Sequence, residues 1–241
     1  MRLRPCLSAL VLLAGAPALA GCGSTLPPAP PHAFVAAAPA SPPMQLCWVE
    51  FATNEKPGGY GLAGSSGRDR WPITYSGLLV RHPRGDLLID AGNSLHFDEE
   101  KKTAGFFSEI LLGLYPGSGE RVASAPAALA RAGEAPAGLK AIVLTHVHAD
   151  HAGGALDLPG VPIVLSIDEL NYVRRAKGEG GFDVVKAQGE AIERRAQPVR
   201  FARAPYENFD QSHDYFGDGS VVFVPLAGHT PGSMGVFVNR S

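Results

Sequence analysis

Residues 139–151 constrain this chain more than any other stretch, because an apolar run from Leu139 to Leu144, ending at Thr145, leads directly into His146-Val147-His148-Ala149-Asp150-His151. A run of that length predicts a buried strand. Imidazoles and carboxylates are costly to bury unless partnered. The fold must therefore bring the C-terminal end of a buried strand to a place where three histidines and an aspartate find a common use.

That use is a metal site. A catalytic zinc site takes neutral imidazoles and carboxylates and keeps one position open, whereas structural sites favour closed, cysteine-rich tetrahedra. His146 and His148 alternate along an extended segment and can point to one side, while Asp150 and His151 lie past the turn and can face a second metal position. Gly153-Gly154 is read as backbone freed to turn tightly beside the ions. Spacing alone leaves Asp150 either a ligand or a proton shuttle.

Around this motif the pattern alternates β and α elements. Strands are predicted over Met44–Phe51, Ile73–His82, Asp86–Asp90, Val161–Ser166, Pro198–Ala202, Val221–Leu226 and Ser233–Val238, with Pro83-Arg84-Gly85 turning a hairpin. Helices are predicted over Thr103–Leu114, Val122–Ala132 with Gly133 as the stop, Ile167–Ala176 with Asp168 and Glu169 near its start, and Asp183–Ala196. No repeat of solenoid length is present.

The N-terminal region reads as an export signal. Met1 to Arg4 is basic, Leu7 to Ala20 is apolar but too short to span a bilayer comfortably, and the run closes on small residues. Leu19-Ala20-Gly21-Cys22 resembles the bacterial lipobox, which implies a signal peptide over 1–21 and a lipidated Cys22 anchoring the chain to a membrane. Gly23 at the next position implies the outer membrane if the source is Gram-negative. Residues 22–43 are rich in Pro and Ala and read as a tether, leaving 44–241 as one folded domain, a length sufficient for a substantial core. Removing Arg2 and Arg4 with the leader moves the net charge from −2 to about −4, with no basic face to suggest nucleic acid. Cys6 and Cys22 lie in the leader region, so only Cys47 belongs to the body, where it reads as a small buried hydrophobe.

The set His-x-His-x-Asp-His after an apolar strand, with Gly228-His229-Thr230-Pro231-Gly232-Ser233 downstream, resembles the metallo-β-lactamase superfamily over roughly residues 73–238. The resemblance implies a four-layer αβ/βα sandwich. It implies a first metal site of His146, His148 and His229, a second using Asp150 and His151, and zinc as the metal, two ions in the intact site. Asp90, in Leu87-Leu88-Ile89-Asp90-Ala91-Gly92, matches the family's early aspartate, which supports the metal-binding loops rather than ligating.

Residues 230–241 contain no Asp, Glu, His or Cys, so the family's bridging Asp and further His have no counterpart there. The second half of the sandwich is accordingly expected to be incomplete at the C-terminus, the chain to be a truncated member, and one ion to be all that it can hold. Three functions follow: a zinc hydrolase of an ester, lactone, lactam or related acyl substrate, with the lactonase branch ahead of the antibiotic-hydrolysing one; a lipid-anchored metal-binding protein without catalysis; and a di-iron redox protein. His148 stands against the last, since that branch places a Glu there. Outside the motif, His32, His82, His96 and His213 read as loop or surface histidines, and Asp210, Asp214 and Asp218 as a solvated turn rather than a calcium loop.

Overall fold

Three strands at the centre of the molecule bury both faces, which is why their sequences read as near-continuous apolar runs. The computed structural model describes residues 42–58, 64–100, 120–121, 123–176 and 184–239, all within one unit, Phe34–Ser241. Its larger sheet contains β1 (Gln45–Pro57), β2 (Arg70–Arg81), β3 (Asp86–Ile89), β4 (Glu120–Arg121), β5 (Leu139–Val143), β6 (Ile163–Ser166) and β7 (Ala196–Val199) in the order β4-β1-β2-β3-β5-β6-β7. Strands β3, β5, β6 and β7 run parallel to one another, and β1, β2 and β4 join antiparallel. A smaller antiparallel sheet holds β8 (His213–Asp214), β9 (Val221–Pro225) and β10 (Met234–Val238) in the order β10-β9-β8.

The period-two alternation of the central strands divides the core in two. Leu88, Ile142, Leu144, Ile163 and Leu165 pack toward a helical layer through Leu129, Leu170, Val173 and Ile192. Leu87, Ile89, Ala141, Val143 and Val164 turn the other way and meet Phe216, Val221, Phe223 and Met234 of the smaller sheet region. The helices are α1 (Phe97–Glu100), α2 (Ala125–Arg131), α3 (Ala149–Ala152), α4 (Ile167–Ala176) and α5 (Lys186–Arg195). The described residues thus give helices, a seven-stranded sheet and a three-stranded sheet, three of the layers expected of an αβ/βα sandwich. Among them no helix is long and apolar enough to cross a membrane.

Most elements stand where the pattern predicts them, and the differences have physical causes. Helix α2 is shorter than expected because Ser124 caps it, its Oγ accepting from Ala127 N at 3.3 Å. Strands β1 and β2 extend as a ribbon, Thr53–Pro57 against Arg70–Thr74, past a bulge between Glu50 and Ala52. That extension is largely exposed and polar, so it lacks the hydrophobic signal that marks a strand. Strand β7 starts at Ala196, directly after α5, two residues before the predicted strand. The predicted helix at 103–114 lies outside the described residues.

His82 departs from the surface histidine expected. It is buried, its ring stacked on Phe216 at 3.8 Å between centroids. Nδ1 accepts from Arg84 N at 3.0 Å, and Nε2 faces Ser220 Oγ at 3.1 Å. A residue at the end of β2 is thereby joined to the loop leading into β9. The acidic stretch is the turn expected, with Asp214 accepting from Gly217 N and Gly219 N. Cys47 is only partly buried and packs at the edge of the core.

Candidate metal centre

Strand β5 ends at Val143, and the chain leaves the sheet carrying the motif with it. His148 is extended (φ −63°, ψ 152°), after which Ala149–Ala152 coils into α3. This short helix packs against the loop after β3: Ala91 N donates to His151 O at 2.8 Å and Gly154 N to Gly92 O at 2.9 Å. The glycines that follow are needed for that approach and not for an unusual turn, since Gly153 has ordinary helical angles (φ −58°). A Cβ on Gly153 would stand 2.3 Å from Ser94 N, and one on Gly154 would stand 2.0 Å from Ala91 O. The pair therefore serves close packing against the loop after β3 and not the tight turn expected of it.

Asp90 organises what the motif presents. It holds a left-handed conformation (φ 57°), which aspartate tolerates better than most residues. Its Oδ1 accepts from Thr145 N, and its Oδ2 from Thr145 Oγ1 and His151 Nδ1, each at 2.8 Å. A carboxylate only accepts, so His151 donates from Nδ1, which leaves Nε2 to carry the lone pair of the neutral ring. The Thr145 hydroxyl, having donated its proton to Asp90, accepts from His146 Nδ1 at 3.2 Å. His146 therefore also presents Nε2 as a lone pair, and that atom is buried with no hydrogen-bond partner.

The third histidine arrives from far along the chain. His229 follows β9, and its Nε2 lies 2.9 Å from His148 Nδ1. Ligand atoms of His146, His148 and His229 all lie within 4.8 Å of one another. An unpartnered buried nitrogen beside two further imidazoles fits a transition-metal ion of borderline softness, and zinc in particular. His151 Nε2 lies 3.7 Å from Asp150 Oδ2, and its ring is 4.0 Å from that of His146. The structure thus gathers the three residues expected at the first position and sets the expected second pair beside them.

Electrostatics favour neutral imidazole at the centre of the cluster. Burial, reinforced by repulsion from His151, His148 and His229, pushes the pKa of His146 down to about 2. At His151 burial also opposes the charged form, but the hydrogen bond and charge of Asp90, with the charge of Asp150, outweigh it and raise the pKa.

Sequence reasoning missed Glu169. The sequence marks it only as an acidic residue near a helix start, yet it is fully buried and accepts from Val147 N at 2.9 Å, Thr230 Oγ1 at 2.7 Å and Gly232 N at 3.0 Å. Ser166-Ile167-Asp168-Glu169 has the form of a capping box, and half of one is made: Glu169 N donates to Ser166 Oγ at 3.0 Å. The glutamate side chain leaves its own helix instead of closing the box. That spacing was the available signal.

Residues 70–240 match the family described as the metallo-beta-lactamase superfamily. The chain is similar to the N-acyl homoserine lactonase AttM of Azorhizobium caulinodans, at 24% identity over 167 residues, 69% of this chain and 59% of that protein. It is similar to AttM of Agrobacterium fabrum at 23% identity with the same coverage. The chain thus spans 59% of the length of these curated relatives. Its fold is similar to that of a B. thuringiensis AiiA mutant with N-decanoyl-L-homoserine bound at the active site, with a TM-score of 0.61 at 16% identity, over 83% of this chain and 72% of that one. It is also similar to AidC, a dizinc quorum-quenching lactonase in complex with its product, with a TM-score of 0.56 at 14% identity, over 85% and 70% of the two chains.

Proposed function

The chain belongs to the metallo-beta-lactamase superfamily, and on that premise we propose that it is a zinc-dependent hydrolase of acyl substrates, with lactones as the substrate class. The observation that carries this reading is the cluster of His146, His148 and His229, in which Nε2 of His146 is buried and unpartnered. The lactone assignment is supported by similarity to proteins named as N-acyl homoserine lactonases.

On this reading His146, His148 and His229 hold one metal, and Asp150 and His151 stand beside it, where the family's intact site takes a second. The chemistry such a metal contributes when bound is Lewis-acid polarisation of an acyl carbonyl and generation of a hydrolytic nucleophile from water near neutral pH. The protein's own part is to present the ligands in the right protonation state. Asp90 fixes His151 directly and His146 through Thr145, so that each turns a lone-pair nitrogen toward the site. Asp150, half-buried beside His151, places a carboxylate where it can accept the proton that hydrolysis releases.

The test is ring opening of an N-acyl homoserine lactone by the full chain supplied with zinc, followed by acid release. The reading expects turnover that is lost on chelation, restored by zinc and absent from His146→Ala. A chain that binds zinc at these residues but opens no lactone and hydrolyses no ester or lactam would overturn it.

A further inference from the structure

We propose that Glu169 is the positioning residue that joins the two metal-binding loops, a role that rests on the metal centre proposed above. The ligands of the first position come from two loops far apart in sequence: His146 and His148 after β5, and His229 after β9. One carboxylate reaches both. Oε1 of Glu169 accepts from the backbone amide of Val147, the residue between the two motif histidines. Oε2 accepts from the hydroxyl of Thr230, next to His229, and from the amide of Gly232.

Several features show a site built around this contact. Glu169 and Thr230 are buried, at 0% and 2% exposure. Ser166, at the start of the same helix, donates from Oγ to Gly232 O at 2.6 Å while accepting from Glu169 N, so the helix start grips the His229 loop through two side chains. Gly232 lets the loop come this near: a Cβ there would stand 2.0 Å from Glu169 N. Thr230 Oγ1 also lies 2.6 Å from Ser233 Oγ, and Ser233 Oγ accepts from Thr230 N at 3.0 Å, which stiffens the loop on its far side.

The chemistry demands a carboxylate and not merely a side chain of that shape. Backbone N–H groups approach both oxygens, so both must be acceptors. A glutamine in the same place has one acceptor oxygen and one NH2 group. Whichever way it is turned, the NH2 meets the N–H of Val147 or of Gly232, and a buried donor is left facing a donor. Glu169→Gln, nearly isosteric, should therefore separate the loops almost as effectively as Glu169→Ala. A residue that only filled space would tolerate it.

The experiment is cobalt(II) titration of the full chain, read by visible absorption, with circular dichroism to confirm folding. Wild type is expected to bind cobalt with an intense tetrahedral-type spectrum. Glu169→Gln should remain folded, bind cobalt roughly 10- to 100-fold more weakly, the range typical for groups that orient metal ligands, and show an altered spectrum as His229 is lost from the ligand set. Thr230→Val removes the hydroxyl that donates to Glu169 and meets Ser233 Oγ, while keeping the carboxylate and both amides, and should weaken cobalt by at least about tenfold, the equivalent of one charge-assisted hydrogen bond. In the double variant the Thr230→Val effect should shrink, since the two residues act through one contact. If wild type binds cobalt and Thr230→Val and a folded Glu169→Gln match it in affinity and spectrum, the role of Glu169 is overturned while the metal centre stands. If Glu169→Gln does not fold, Thr230→Val alone decides, and wild-type affinity there overturns the proposal. If wild type itself binds no cobalt, the metal centre falls and this role with it.

Discussion

Asp90 Oδ2 lies 2.8 Å from Nδ1 of His151, although the two residues are 61 positions apart in sequence. The contact fixes which imidazole nitrogen carries the proton, and the site depends on that choice.

Asp90→Asn tests this relationship without disturbing the backbone, because asparagine also tolerates the left-handed conformation at this position (φ 57°). An amide NH2 turned toward His151 would require Nδ1 to accept, which moves the ring proton to Nε2 and removes the outward lone pair. Zinc affinity is expected to fall roughly 10- to 100-fold, with folding retained. Competition against a chelator measures it, and an unchanged affinity would show that Asp90 does not set the tautomer.

Gly154→Ala is expected to destabilise the fold by about 1–3 kcal/mol or more, the range for overpacking a close contact, because the new methyl meets the carbonyl of Ala91. The same strain separates α3 from the loop that carries Asp90, so metal affinity should fall along with stability. Urea unfolding read alongside a zinc titration checks both. Wild-type values for the two would remove the packing account of this glycine.

His82 gives the fold a pH dependence outside the metal centre. Burial lowers its pKa, with Arg84 adding to the effect and Asp218 and Asp86 opposing it. Protonation would also set an Nδ1–H against the N–H of Arg84. The unfolded chain then binds a proton more readily than the folded one, so the stability due to His82 is present above the unfolded pKa of roughly 6.5 and is lost as pH falls below it. His151, with its pKa raised, contributes the opposite slope, so the difference between wild type and His82→Phe is the quantity to read. Thermal melts between pH 7.5 and 5 should show wild type losing more Tm than the variant, and parallel curves would exclude the histidine as the cause.

The lipobox reading of Leu19-Ala20-Gly21-Cys22 predicts a membrane-anchored product. Expressed in a bacterium, the wild-type chain should take up labelled fatty acid and sediment with membranes, while Cys22→Ser should do neither. Equal labelling of the two would place the modification elsewhere.

Local signals made much of this site legible. His146, His148, Asp150 and His151 are close in sequence and follow a buried strand, so pattern alone brought them together; His229 and Asp90 were placed by resemblance to a known arrangement. Glu169 was not legible, because an acid in the first turn of a helix already has a sufficient local explanation. Its partners Val147, Thr230 and Gly232 lie 22 to 63 residues away. His82 was hidden for the same reason, since Phe216 and Ser220 reach it only once the smaller sheet is in place. The outer half of the β1–β2 ribbon escaped because it buries little and so carries no apolar alternation.

The most direct test of the metal centre is the zinc content of the chain after loading and gel filtration, compared with that of His146→Ala and His229→Ala. Tight retention of at least one equivalent by wild type, with its loss in either variant while folding persists, is the predicted result. A wild-type chain that retains no zinc, or variants that retain as much as wild type, would contradict the assignment of His146, His148 and His229 as one metal site.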